Sequence, residues 1–408
     1  MPTYFEAVNP RQLLSDFPIG AAFVQTFAAL SRDELRARQE ARFNRLMRRV
    51  WQVPFYQRLY GRQGIEPGDI RGLDDLSKLP VFSKADLMQS IETYPPYGDF
   101  HGVTPGAGQQ VVLHTTSGTT GTPQVLLFGP KSREIQNLLL ARAYLLQGLR
   151  PDDVVHSVYG FGMINGGHYI RETILHWTQA MLLPAGTGVE TPSLQQVSLM
   201  RDFRVTFIVG FADYLKRLAD VARSNGIVPG EDIPVRTISG HLGREDRDAL
   251  SASWGGAELF DWYGVGDTGI VAAEGPDHTG LYVMEDAHVL ELLHVDTGSP
   301  VAEGEPGDMV VTVLFKDDVY PIVRFNTHDV SALETSPSPL GLPLRRIRGF
   351  LGRSDQMIKV RGINIFPQAI GPLLQDRPEF TGEFICRAAR DASGRESLTV
   401  LVEVSAPT

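Results

Sequence analysis

The sequence predicts an α/β protein: a large N-terminal domain of several subdomains with parallel sheets and a small β-barrel-like part, then a short α+β C-terminal domain. Three observations carry that expectation. Short apolar runs that end in glycine or hydroxyl residues alternate with helical stretches through the middle of the chain, the pattern of a parallel sheet covered by helices. From about residue 280 the chain turns to β-rich segments with polar turns. Near residue 352 a new unit begins, behind a loop rich in proline, serine and glycine. The 408 residues allow two or more domains with a sizeable core.

The elements follow in order. Residues 31–49, "SRDELRARQEARFNRLMRR", read as a helix. Ser31 can cap it with Glu34 three residues on, and Leu35, Phe43, Leu46 and Met47 form a partial apolar stripe. Its arginines read as a solvated face rather than an RNA or membrane contact. "VPFYQRLY" (53–60) and "LPVFSKADL" (79–87) read as packing and turn segments, with Ser83 an N-cap for a following helix. "VVLHTT", "DVVHSVYG", "AMLLPAG", "VTFIVG" and "VRTISG" read as buried strands, separated by helical stretches such as "SREIQNLLLARAYLLQGL" and "FADYLKRLADVARSNG". In a parallel sheet of this kind, ligands bind at the carboxyl ends of the strands, where these glycine-rich exits fall. "LYVMEDAHVLELLHVDTG", "GDMVVTVLF" and "VYPIVRFNTHD" suit a small barrel or antiparallel sheet, and "SPSPLGLPL" (336–344) is a loop. Residues 1–351 are expected to form the large domain and 352–408 the C-terminal one, with no internal repeats.

Composition excludes several classes. A hydrophobic share of 42% is that of an ordinary globular chain. A net charge of -10 argues against a general nucleic-acid binder. The single cysteine, Cys386, excludes a disulfide framework or a cysteine-rich zinc site within the chain and suits a reducing, cytoplasmic compartment. The N-terminus lacks the basic and apolar regions of a signal peptide, and no run of about 18 apolar residues predicts a membrane span. His156, His168 and His328 share no metal-ligand spacing.

One stretch, "HTTSGTTGTPQVL" (114–126), collects small hydroxyls and glycines directly after an apolar run. Small residues let backbone N–H groups approach an anion, and hydroxyls add donors. The stretch is not a Walker A loop, because no lysine follows Gly121. Composition alone leaves a phosphate cradle and a plain surface turn equally open.

The order of residues adds a resemblance. "TSGTTGTP" (116–123) closely resembles the phosphate loop of the acyl-adenylate-forming enzymes, the superfamily of acyl-CoA synthetases, nonribosomal adenylation domains and luciferases. "DWYGVGDTG" (261–269) resembles that family's Tyr-Gly-x-Thr/Ser-Glu segment, and "RFNTHD" (324–329) its Tyr-Arg-Thr-x-Asp segment. "GRSDQMIKVRGINIFP" (352–367) is similar to the hinge and first strands of its mobile C-terminal domain. "VPFYQRLYGRQGIEP" and the compact length are most similar to the phenylacetate–CoA ligase branch.

The resemblance implies a two-step reaction: ATP and a carboxylic acid give an acyl-AMP and pyrophosphate, and a thiol, usually of CoA, then displaces AMP. It implies ATP, Mg²⁺ and CoA as the non-protein components, no nucleic-acid or membrane partner, and a homodimer as in many relatives. Thr116, Ser117, Gly118, Thr119, Thr120 and Gly121 would cradle the β- and γ-phosphates. Tyr263 would lie against the adenine beside Gly264, with Asp261 and Trp262 leading into that contact. Asp267 falls at the acidic position that helps hold Mg²⁺. Asp329 would accept both ribose hydroxyls, and Arg353 would donate to ribose or phosphate. Asp355 would be the pivot of the small domain, and Lys359 and Arg361 would meet phosphate or CoA. "VYGFGMINGGHY" (158–169) falls where the family places its acyl pocket, so Tyr159, Phe161, Gly166 and Gly167 would border a flat aromatic acid. Phe211 and His241 occupy similar strand exits, His241 near the junction of adenine and acyl sites.

Three departures qualify the resemblance. The acidic position is Asp267 rather than glutamate, which shortens its reach by about 1.5 Å, and the preceding hydroxyl position is Gly266. Thr122 and Gln124 stand where relatives commonly carry lysine, so the loop is expected to have lost positive charge. The C-terminal piece is short, as though its second half were missing, and the last lysine in the sequence is Lys359. A ligase lacking the family's transition-state lysine would lose a factor of about 100 or more in rate. Two alternatives follow: adenylation with an amine or carrier-protein acceptor, and a catalytically weak nucleotide-binding or scaffold protein.

Overall fold

The computed structural model describes residues 3–104, 106, 108, 110–116, 123–243, 245–356, 358–360, 363–365, 367, 370–374, 377, 379–390 and 396–405. Its centre is a nine-stranded mixed sheet. Across that sheet the strands run Leu333–Glu334, Arg346–Ile347, Leu281–Val283, Gly269–Glu274, Glu258–Val265, Thr237–His241, Phe207–Phe211, Val154–Ser157 and Met181–Pro184. The last five pair in parallel and the first five in antiparallel, so Glu258–Val265 belongs to both halves. Four of the five apolar runs are therefore the parallel strands expected.

The fifth is not. "VVLHTT" supplies Val112–Thr115, which pairs in antiparallel with Val125–Phe128 in a separate hairpin. A short apolar run has the same local pattern in either setting, and only the partner strand decides. The stretch "VPFYQRLY" also differs from expectation. It lies in the helix Pro54–Gly61, with proline in its first turn and Phe55, Tyr56 and Tyr60 buried.

Ser31 starts the helix Arg32–Val50 through a full capping box with Glu34, and Ser83 caps Lys84–Thr93. Most arginines of Arg32–Val50 lie on a solvated face as expected, and Arg42 is the exception. Arg42 is buried and donates to the Asp16 and Asp286 carbonyls, Arg45 pairs with Asp317, and Arg49 donates to the Asp318 carbonyl.

The helix Pro130–Leu146 is buried along nearly its whole length. It packs against Gly20–Ala28, Gly166–Trp177 and Gly269–Glu274. Its buried arginines are paired internally, Arg133 with Glu172 and Arg142 with Asp286. Arg142 donates to both carboxylate oxygens of Asp286 at 2.8 Å.

The β-rich region forms a second sheet from His288–Leu293, Gly307–Val313 and Ile322–Ser331 in antiparallel, with Phe82–Ser83 added in parallel. Among the described strands nothing closes His288–Leu293 back onto the other edge, so the region is a sheet rather than a closed barrel. Gly352–Arg353 pairs with Ile322–Ser331 and brings Arg353 opposite Asp329. Beyond it lie two hairpins, Ile358–Val360 with Ile363–Ile365 and Phe380–Arg390 with Glu396–Val404. No helix among the described residues is long and apolar enough to cross a membrane.

Candidate active site

The parallel strands end on one side, as expected, and their exits carry Ser157, Phe211, His241 and Val265. Two cavities lie there. One, of about 400 Å³, is lined by residues that include His241, Asp261, Trp262, Tyr263, Asp329 and Phe350. The other, of about 270 Å³, includes Thr116, Tyr159, Asn165, Gly166, Tyr169 and Gly269 in its walls. His241, Trp262 and Gly264 belong to both.

Three predicted residues from distant segments meet at the first cavity. Tyr263 Oη donates to Asp329 Oδ2 at 2.8 Å and also lies 3.1 Å from Thr327 Oγ1. Arg353 Nη1 donates to Asp329 Oδ1 at 2.9 Å, while its Nε and Nη2 go to Asp355 at 2.9 and 2.6 Å. The guanidinium is therefore shared. Burial dominates at Asp329 and raises its pKa despite the arginine, whereas the Arg353 hydrogen bonds hold the more exposed Asp355 low. The strand that carries Asp329 is irregular in its pairing. Arg324 and His328 have φ of 58° and 59°, a left-handed backbone that costs such residues about 1–3 kcal/mol each. Arg324 is held there by Glu291 at 2.9 and 3.0 Å.

Asp261 is a second carboxylate of this cavity. Its Oδ1 accepts the backbone N–H of Leu242 at 3.0 Å and of Trp262 at 2.9 Å, and Oδ2 has no protein donor among the described residues. Burial pushes its pKa up to about 7. His241 Nδ1 lies 3.1 Å from the Trp262 carbonyl, which fixes the proton on Nδ1. Burial lowers His241 to about 4, so it is neutral near pH 7 and its Nε2 is an acceptor.

The other predicted residues divide. Thr116 lines the second cavity, whereas Ser117, Gly118, Thr119, Thr120 and Gly121 lie outside the described residues. Tyr159 and Gly166 also line that cavity. Phe211 does not, but it packs on Tyr159 at 4.2 Å and stacks with His241 at 6.1 Å. Phe161 lines neither cavity, because its loop turns it onto His168 at 5.5 Å. Gly167 also lines neither. A Cβ there would stand 2.4 Å from the Gly160 carbonyl oxygen, so this glycine permits a close backbone approach. Lys359 lies on Ile358–Val360 opposite Asn364, and its side chain is outside what is described.

Asp267 is buried behind the cavity wall formed by Gly266 and Gly269. Its Oδ1 accepts Gln124 Nε2 and Tyr320 Oη, both at 2.6 Å, and Lys316 Nζ donates to its carbonyl. Gln124 is thus fully buried against Asp267 and is not a phosphate-facing position that has lost a lysine. Asp267 Oδ2 has no protein donor among the described residues, and those residues contain no group of three or more His, Cys, Asp or Glu suited to a metal. Mg²⁺ binds through one or two carboxylates and otherwise through phosphate and water. One free oxygen on one carboxylate fits that donor set.

Two cations escaped the sequence reading. Lys84 Nζ lies 3.3 Å from Thr116 Oγ1 at the start of the hydroxyl-rich stretch. Lys316 is buried beside Asp267, and burial lowers its pKa to about 8. Neither is near "TSGTTGTP" in sequence, so no local spacing signals them.

No family model matches the chain. It is 30% identical over 386 residues to phenylacetate–coenzyme A ligase of Thermus thermophilus, covering 93% of this chain and 83% of the relative. It is 31% identical over 360 residues to the enzyme of the same name from Pseudomonas putida, covering 86% and 77%. Its fold matches a crystal structure of 2-hydroxyisobutyryl-CoA ligase in the postadenylation state in complex with R3-HIB-AMP. The TM-score is 0.81 at 23% identity, over 93% of this chain and 80% of that one. ATP-bound MatB from Rhodopseudomonas palustris matches at TM-score 0.54 and 16% identity, over 72% and 57%. The fold is that of the acyl-CoA ligases. With the relatives at 30% identity and above, the chain belongs to the phenylacetate–coenzyme A ligase family, as its motifs implied.

Proposed function

We propose that this chain is an AMP-forming ligase that activates a carboxylic acid, aromatic by preference, with ATP and transfers the acyl group to CoA. The observation that carries the reading is the meeting of Tyr263, Asp329 and Arg353 at one cavity that shares a wall with a second, aromatic-lined one. In the first step a carboxylate oxygen attacks the α-phosphorus of ATP and the bond to pyrophosphate breaks. In the second the CoA sulfur attacks the acyl carbon, AMP departs and the thiol loses its proton. The chain's part is positioning and charge stabilisation. Asp329 would accept the ribose hydroxyls, and Arg353 and Tyr263 hold its carboxylate still. Tyr159, Tyr169 and Trp262 would flank the acid, with neutral His241 an acceptor where acid and nucleotide meet. Asp267 would be the protein ligand of Mg²⁺, which when bound supplies positive charge to the phosphates.

Residues 1–351 acting as the large domain and 352–408 as the mobile one are part of this reading, with Asp355 as pivot and Lys359 near phosphate or CoA. So are the phosphate cradle of Thr116 to Gly121, a homodimer and a cytoplasmic location, which suits ATP, CoA and a lone Cys386. Acid-dependent pyrophosphate release, followed by mass detection of the CoA thioester, tests the reading. Release that no acid stimulates would leave only a nucleotide-binding protein, and products formed with amines alone would change the acceptor.

Two further outcomes are expected. Lys84→Met should raise the KM for ATP about tenfold, because a charge-assisted contact to phosphate is lost, with the melting temperature unchanged. An unaltered KM would remove Lys84 from the phosphate site. Asp261 should accept the adenine amine once ionised. The KM for ATP should therefore fall severalfold between pH 6 and 8, across the value of about 7, and Asp261→Asn should flatten that profile. The same raised pKa means that Asp261 favours the fold at low pH and that this contribution is lost as pH rises through about 7. A profile identical in both proteins would place the adenine elsewhere.

A further inference from the structure

The chemistry of the acid can be narrowed, on the ligase reading above, from one amide. Asn165 immediately precedes the helix Gly166–Trp177 and lines the 270 Å³ cavity without reaching the neighbouring 400 Å³ one. Its Oδ1 accepts Nη1 of Arg133, a residue only 1% exposed whose Nε is held by Glu172 at 2.5 Å. A guanidinium has donors and no acceptor. The carboxamide can therefore face Arg133 in one sense only, oxygen inward, and its nitrogen is turned the other way. Nδ2 donates to no protein acceptor among the described residues, although Asn165 itself is only 8% exposed. A donor left without a partner is costly, and Asn165 stands in the cavity wall.

We infer that the acid carries a hydrogen-bond acceptor, a carbonyl, ether or hydroxyl oxygen, on its ring or chain away from the carboxyl group, and that Asn165 Nδ2 receives it. Because Asn165 borders the acyl cavity and not the adenine one, it reads the body of the acid rather than the nucleotide. A plain arylacetic acid would leave the amide unpaired.

Phenylacetic acid and its ortho, meta and para ring-methoxy and ring-acetyl derivatives provide the test, since their added groups only accept. In the wild type, kcat/KM for at least one derivative should exceed that for phenylacetic acid about tenfold or more, the scale on which a site built to hydrogen-bond a group rejects its absence. Asn165→Asp keeps an oxygen for Arg133 but presents an acceptor to the cavity, so it should abolish or reverse that ratio. A wild-type ratio near one for every isomer overturns the inference without any variant. So does a ratio that Asn165→Asp leaves unchanged, with its melting curve showing a folded protein. Should no acid be adenylated at all, the ligase reading itself fails, a different result from a flat preference among acids that are adenylated.

Discussion

Asp329→Ala is expected to lower kcat/KM for ATP by about 100-fold or more, or about 2.7 kcal/mol. Asp329 stands between Tyr263 and Arg353, with 8% of its side chain exposed. Each of its oxygens already holds one donor, so it is fixed in place before any ribose arrives. Pre-placement of this kind is what a binding site needs, because less ordering remains to be done when the ligand enters. The substitution also leaves Tyr263 Oη with Thr327 and Arg353 with Asp355, so the fold should survive. The comparison with Asp329→Asn is informative. The amide retains one acceptor but brings a donor against Arg353 or Tyr263, so it should be impaired nearly as much. Wild-type kinetics in the alanine variant, with saturable ATP binding, would remove Asp329 from the nucleotide site.

The second large effect concerns stability. Asp286→Ala should cost about 3–5 kcal/mol, the penalty for leaving buried charge unpaired. Arg142 is wholly buried and bonds both oxygens of Asp286, whose carbonyl also receives Arg42. These three residues join the helices Arg32–Val50 and Pro130–Leu146 to the segment that leads into the antiparallel sheet. Burial alone would raise the Asp286 pKa, but Arg142 outweighs it and the net shift is downward. A carboxyl with a depressed folded pKa stabilises above its unfolded value, near 3.9, and that contribution is lost as pH falls through the folded one. The variant should therefore unfold at lower denaturant near neutral pH and show less additional loss on acidification than the wild type. A midpoint shift worth less than about 1 kcal/mol, the range of surface pairs, would mean that the arginines find other partners.

Much of this arrangement was legible before any coordinates. The capping box at Ser31, the N-cap at Ser83, four parallel strands and the singling out of Tyr263, Asp329 and Arg353, which the fold brings together, follow from local pattern and motif order. What misled was also local. "VVLHTT" has the apolar character of a buried strand yet forms a hairpin. The arginines of the first long helix look like a solvated face, but Arg42 is buried. Gln124 looks like a loop position stripped of charge, but it is an inward partner of Asp267. Phe161, in the loop before the helix Gly166–Trp177, and Gly167, in its first turn, line neither cavity.

The amino-acid order by itself determined the family, the alternation of strands with helices and the segments that converge on one cavity, because periodicity, caps and motif spacing are encoded within a few residues. Only the tertiary structure decided that Lys84 reaches Thr116, that Asp267 is clasped by Gln124 and Tyr320, and that Arg133 holds the amide oxygen of Asn165. Those contacts join residues 32 to 143 positions apart. A buried cation imposes its hydrogen-bond geometry only after packing has excluded water from around it.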